Sequence, residues 1–99
     1  MNINKTQNGE KTVLALSGRL DTTTAPKLQE VLIPEFDGAK CVELDFAELA
    51  YVSSAGLRVL LMGEKTAKAK GGKFRLVNVP EEIMEVFEMT GFADILNIG

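Results

Sequence analysis

The chain has no histidine and a single cysteine, Cys41. Without histidine there is no Ser-His-Asp or Cys-His catalysis, no histidine phosphocarrier and no His-bound metal site. One cysteine excludes an internal disulfide and a Cys-rich zinc site, so the framework of a small secreted scaffold is missing. Positive charge is in short supply: 11 Lys/Arg stand against 14 Asp/Glu, a net charge of −3. With no basic run either, DNA or RNA binding is disfavoured. No stretch reaches the roughly 18 apolar residues of a membrane span. The polar opening Met1-Asn2-Ile3-Asn4-Lys5 does not read as a signal peptide. A cytoplasmic protein without direct membrane insertion is expected, with no metal and no cofactor.

What is present has the balance of one folded domain. The 99 residues are 45% apolar and 25% charged, too few for two domains and enough to bury about two-thirds of the unfolded surface. Ile3–Thr6 and Thr12–Ser17 flank Asn8-Gly9, which predicts a hairpin with a type I′ turn. The first strand is the more polar and should form the edge, with Asn4 and Lys5 blunting it. Gly18 is expected to end the second strand. Thr22, Thr23 and Thr24 are then candidate N-caps before a helix whose stripe is Ala25, Leu28, Val31 and Leu32; Pro26 fits its first turn and Pro34 should stop it near Ile33.

A third strand is expected over Cys41–Phe46, with Cys41 packed in the core. After a short link, Ala50-Tyr51-Val52 leads into Ser53-Ser54-Ala55-Gly56. Leu57, Leu60 and Leu61 mark a second helix that runs through Ala67 to Gly71-Gly72, a natural C-cap. Phe74–Val77 reads as a fourth strand. Pro80, Glu81 and Glu82 open a third helix with the stripe Ile83, Val86 and Phe87; Gly91 breaks it, and Phe92, Ile95 and Leu96 dock a last turn. The order β-β-α-β-α-β-α predicts a single α/β domain over residues 1–99: a mixed four-stranded sheet with an N-terminal hairpin, then crossover helices packed on it. Met62, Met84 and Met89 are expected to fill gaps. Glu81, Glu82 and Glu85 should form a solvated face, as should Lys65, Lys68 and Lys70. Asp45 is a candidate to orient the Ser53-Ser54 turn.

Three chemistries compete for that serine pair. One serine can simply cap the helix. A nucleophile elbow of the form G-x-S-x-G fails, since Val52 stands where glycine is required and no histidine can act as base. The third is covalent modification. A hydroxyl at a helix N-terminus is accessible, Gly56 leaves the adjacent backbone uncrowded, and a phosphate adding about −1.5 to −2 charges would sit at the positive end of the helix. Composition and spacing leave these readings open.

Ser17-Gly18-Arg19-Leu20-Asp21 followed by Thr24-Ala25-Pro26, a strand ending at Asp45, and then Tyr51-Val52-Ser53-Ser54-Ala55-Gly56-Leu57 resembles a STAS domain. More narrowly, the series is similar to the bacterial anti-sigma factor antagonists, and the match runs through almost the whole chain. The resemblance implies a binding switch rather than an enzyme. In such proteins the unphosphorylated form binds an anti-sigma factor that is also a serine kinase and so frees a sigma factor. Phosphorylation of one serine ends the interaction, and a PPM-type phosphatase restores it. Counting back from Gly56-Leu57 puts Ser54 at the acceptor position. The family usually has Asp just before the acceptor; Ser53 stands there in this chain and is the second candidate. Asp21 matches an acidic residue beside the first helix, although a turn aspartate is an equal reading. The expected partner face is therefore Asp21, Thr22, Thr23, Ser53, Ser54 and Gly56. A STAS subunit of a lipid-trafficking ABC transporter, or of a stressosome-like sensory assembly, is the alternative from another class. A small hydrolase or nucleotidase is disfavoured by the absent histidine and P-loop.

Overall fold

The computed structural model describes all 99 residues. Strands β1 (Asn2–Asn8) and β2 (Lys11–Leu20) lead to helix α1 (Ala25–Glu35); β3 (Cys41–Val52), α2 (Ser54–Lys70), β4 (Lys73–Val77) and α3 (Glu81–Thr90) follow, with a 3-10 turn at Phe92–Asp94. The sheet order is β1-β2-β3-β4. β1 is antiparallel to β2, whereas β3 and β4 are parallel to their neighbours. Element order, mixed sheet and antiparallel edge are as the sequence leads one to expect.

The hairpin differs in detail. The two-residue loop is Gly9-Glu10, with Asn8 paired to Lys11, and positive φ falls on Gly9 alone at 63°. That is the pattern of a type II′ turn, with glycine first, rather than type I′. Gly18 does not end β2. The strand continues to Leu20, and β3 is correspondingly longer than expected, because the Ala47–Leu49 link pairs as strand. Two bulges on β3 make this possible, one between the Ala15–Asp45 and Ser17–Glu48 pairs and one between Gly18–Leu49 and Arg19–Tyr51. Each inserts a residue and turns the strand. Phe46, Leu49 and Val52 can thus all face inward at a spacing of three.

Helix α1 runs past Pro34 to Glu35. The proline sits in the last turn with its ring exposed, as is Glu30, whose carbonyl would have been its partner. The end then tightens: Phe36 N–H reaches the Ile33 carbonyl at 3.3 Å and Asp37 N–H the Pro34 carbonyl at 3.1 Å. A proline is costly in a helix interior, but here it lies in the last turn and the residue left without its helical partner, Glu30, is itself exposed.

Leu14, Leu16, Val42, Leu44 and Phe46 form the buried sheet face under the helices, in one cluster with Leu28 and Leu32 of α1 and Leu57, Val59 and Leu60 of α2. Phe36 meets Phe74 edge-on at 5.8 Å, and Phe46 meets Phe87 of α3 at 6.3 Å. Such ring pairs add about 0.5–1.5 kcal/mol beyond area burial. The alternate residues Lys11, Val13, Ala15, Cys41 and Asp45 are only partly covered. Cys41 is therefore half-buried beside Lys11 and Lys73 rather than in the core. Glu43 is the exception on that face. It is buried and held by Lys11 Nζ at 3.1 Å and Arg75 Nη1 at 3.4 Å. Met62 and Met89 are exposed, 38% and 87%, so of the three methionines only Met84 packs against the core.

Candidate functional site

In a parallel pair both strands point their carboxyl ends to the same edge, and the loops that leave them meet there. β2 and β3 are such a pair. Leu20 lies opposite Val52, and the Ser53 N–H donates to the Leu20 carbonyl at 2.8 Å. This bond ties the loop before α1 to the start of α2. Asp21, Thr22 and Thr23 are thereby brought next to Ser53 and Ser54.

The two serines take different roles. Ser53 is the N-cap of α2, in extended conformation, and its Oγ accepts the Gly56 N–H at 3.3 Å. Its own hydroxyl is half-buried and engaged in holding the helix end. Ser54 is the first residue of the helix; it is exposed, and its hydroxyl makes no hydrogen bond within the protein. Capping and an accessible hydroxyl thus fall on neighbouring residues, Ser53 and Ser54.

Gly56 has a place other than the surface. It is buried, and a Cβ there would lie 2.7 Å from Leu20 Cγ, 3.0 Å from Cδ2 and 3.2 Å from the Leu20 carbonyl oxygen. Glycine lets the first turn of α2 settle directly onto the end of β2. It belongs to the support of the site and is not available to touch a partner.

Asp21 organises its own loop. Its Oδ1 accepts from Thr23 N–H at 3.0 Å, Thr23 Oγ1 at 2.7 Å and Thr24 N–H at 3.2 Å. The Thr24 hydroxyl does not cap α1 as a threonine N-cap would. It donates to the Arg19 carbonyl and accepts from the Asp21 N–H, both at 2.8 Å. The Asp21 carboxyl is held below its ordinary value of 3.8. The Thr23 hydroxyl is the largest cause; partial desolvation opposes it, and the N–H groups of Thr23 and Thr24 and the Thr24 hydroxyl add to it. The turn-aspartate role is thus filled. Thr22 and Thr23 are exposed, with the Thr23 hydroxyl already committed to Asp21. Asp45 does not reach the serines. Its Oδ1 accepts from Ala47 N–H at 3.0 Å and Asn78 Nδ2 at 3.1 Å, which fixes the first β3 bulge and the loop after β4.

Residues that composition did not single out complete the surface. Between α1 and α2 lies a cleft of about 260 Å³, with Thr22, Pro26 and Gln29 on one wall and Ala55, Arg58 and Met62 on the other. Arg58 and Met62 follow Ser54 at successive four-residue steps, a spacing that puts them along one face of the helix. On the far side of the β2 end, the Arg19 guanidinium lies 4.2 Å from the centre of the Tyr51 ring and 3.8 Å from Asp21 Oδ2. Tyr51 is 40% exposed. Exposed Tyr and Arg are the residue types that anchor protein interfaces. The site offers a hydroxyl, an aromatic ring and a small cleft, on rigid element ends.

Known proteins resemble this chain in both sequence and fold. A family model described as Mlab, STAS domain, matches residues 3–97. The chain is 30% identical over 99 residues to the anti-sigma-B factor antagonist of Bacillus subtilis strain 168, covering all of this chain and 91% of that protein. Among solved structures, the unphosphorylated form of the anti-sigma factor antagonist SpoIIAA superposes with a TM-score of 0.84 at 18% identity, over 99% of this chain and 88% of that one. The phosphorylated form of the Bacillus cell fate determinant SpoIIAA gives 0.78 at 18% identity, over 99% and 91%. Fold, sequence match and family model converge: the chain belongs to the STAS-domain family and is similar to anti-sigma factor antagonists within it.

Proposed function

We propose that this protein is an anti-sigma factor antagonist controlled by phosphorylation of Ser54. In its unmodified form it binds an anti-sigma factor that is also a serine kinase, and so releases a sigma factor. The kinase moves the γ-phosphoryl group of ATP onto Ser54 Oγ, with loss of ADP and the hydroxyl proton. A PPM-type phosphatase hydrolyses the ester. The observation that carries the choice of residue is the division of labour between the serines: Ser53 is spent on the cap, while Ser54 is exposed and unbonded on the same helix end.

Electrostatics supports a switch that acts at the interface rather than on the fold. A phosphate on the first residue of α2 meets the free N–H groups and the positive end of a 17-residue helix, which favours it by a few tenths to about 1 kcal/mol per charge. The domain should keep its structure. A partner packed over Ser54 would instead have to accommodate a desolvated dianion, which can cost several kcal/mol. The partner surface then comprises the exposed ends of both loops: Asp21, Thr22, Thr23, Ser53 and Ser54, extended by Tyr51 and the α1–α2 cleft.

The test is binding of a purified anti-sigma factor kinase to the wild-type chain, Ser54→Ala and Ser54→Asp. Ser54→Ala should bind but take no phosphate, and Ser54→Asp should bind at least tenfold more weakly while melting near wild type. A Ser54→Asp chain that binds as tightly as wild type, confirmed with authentic phosphoprotein, refutes the switch. Recovery of a permease and ATPase in place of a kinase would assign the chain to the transporter alternative.

A further inference from the structure

Arg58 stands out among the cationic side chains of the site. It is exposed, has no carboxylate within ion-pairing distance, and lines the α1–α2 cleft, whose walls carry no acidic residue. Arg19, by contrast, is already engaged by Tyr51 and Asp21. Helical side chains lean toward the N-terminus and lie over the turn before their own Cα. Arg58 therefore leans toward Ser54, four residues earlier on the same face, the spacing at which opposite charges pair on a helix. A guanidinium presents a planar fork that matches phosphate oxygens.

We propose that Arg58 is the internal receiver of the phosphoryl group on Ser54, drawing it over the mouth of the cleft between α1 and α2. The inference rests on the reading of Ser54 as the acceptor. It adds how the phosphorylated state is held: the phosphate is fixed in one place by the chain itself and fills the cleft mouth, where Thr22 and Pro26 form the opposite wall. Arg58 is then a positioning residue for the switch. The other charged groups on this surface are Asp21, whose carboxylate is held by Thr23 and Thr24, and Arg19, which lies over the Tyr51 ring and 3.8 Å from Asp21.

The experiment uses phosphoserine installed at position 54 during synthesis, so no kinase is needed. The phosphate is titrated by phosphorus NMR in the otherwise wild-type chain, in Arg58→Gln and in Arg58→Lys. An ordinary phosphoserine loses its second proton near pH 6. Pairing with Arg58 should lower that value by roughly 0.3 unit or more relative to Arg58→Gln, with Arg58→Lys between them. The phosphorylated wild type should also melt higher than phosphorylated Arg58→Gln, whereas the unphosphorylated pair should melt alike. Superimposable phosphorus titrations in wild type and Arg58→Gln overturn the proposal. Mapping of the phosphate on protein taken from cells is read separately: phosphate on Ser53 would refute the acceptor assignment, whatever the titration shows.

Discussion

Replacing Gly56 by alanine tests whether the site depends on the close seat of α2 on β2. The new Cβ would enter at 2.7 Å from Leu20 Cγ and 3.2 Å from the Leu20 carbonyl oxygen. Neither can withdraw easily. The Leu20 side chain is fully buried, and its carbonyl is held by the Ser53 N–H at 2.8 Å. Overpacking of this kind costs about 1–3 kcal/mol, offset by up to roughly 1 kcal/mol of better helix propensity. A net loss of about 1–2 kcal/mol in a domain of this size corresponds to a drop in Tm of roughly 4–16 °C. The assay is thermal unfolding followed by circular dichroism, for Gly56→Ala, Leu20→Ala and the double variant. Leu20→Ala removes both the Cγ and the Cδ2 that the new Cβ would meet, so alanine at 56 should cost at least about 0.5 kcal/mol less in that background. A Gly56→Ala chain as stable as wild type, or strictly additive costs, would refute the reasoning.

Other perturbations separate structural from functional roles at the same surface. Ser53→Ala removes the cap of α2 and should lose about 0.5–1 kcal/mol in a thermal melt, while Ser54→Ala should stay within about 0.5 kcal/mol of wild type. The Asp21 carboxyl has a folded value below 3.8, so the unfolded state binds the proton more readily and the carboxylate favours folding at neutral pH. That contribution should fade as pH falls below 3.8 through the lowered folded value, and acid unfolding of Asp21→Asn should lack this part of the pH dependence. Glu43→Ala leaves Lys11 and Arg75 without their shared carboxylate; as both cations are near half-exposed, chemical denaturation should show a loss of about 1–2 kcal/mol rather than that of a fully buried pair.

Periodicity made the elements legible, and the STAS-like motifs pointed to the family. The departures share a cause: local rules do not know which groups will meet water or a neighbouring strand. Pro34 reads as a stop, yet it falls in the last turn of α1 and the residue it leaves without a helical partner, Glu30, is exposed. The Ala47–Leu49 link lacks a strand's alternation because two bulges replace the period of two with one of three. Cys41 looked like a core residue in an apolar strand, but strand register puts it on the open side, between lysines. Asp45 sits near the serines in sequence and is turned instead to Asn78. The two loops of the expected partner face do lie together, but Gly56 is buried; only the packed structure reveals Leu20 beneath it. Arg58, Met62 and Tyr51 carried one usable signal, their phase relative to Ser54 and Val52.

The central claim is that a phosphate on Ser54 ends binding to an anti-sigma factor kinase. The most direct measurement is release of the immobilised chain's captured kinase by ATP, compared between wild type and Ser54→Ala, with the phosphopeptide containing Ser53 and Ser54 sequenced by mass spectrometry. The account predicts that ATP releases the kinase from wild type as phosphate appears on Ser54, and that Ser54→Ala retains it unlabelled. Release from Ser54→Ala with phosphate on Ser53, or wild-type release without phosphate on Ser54, would contradict it.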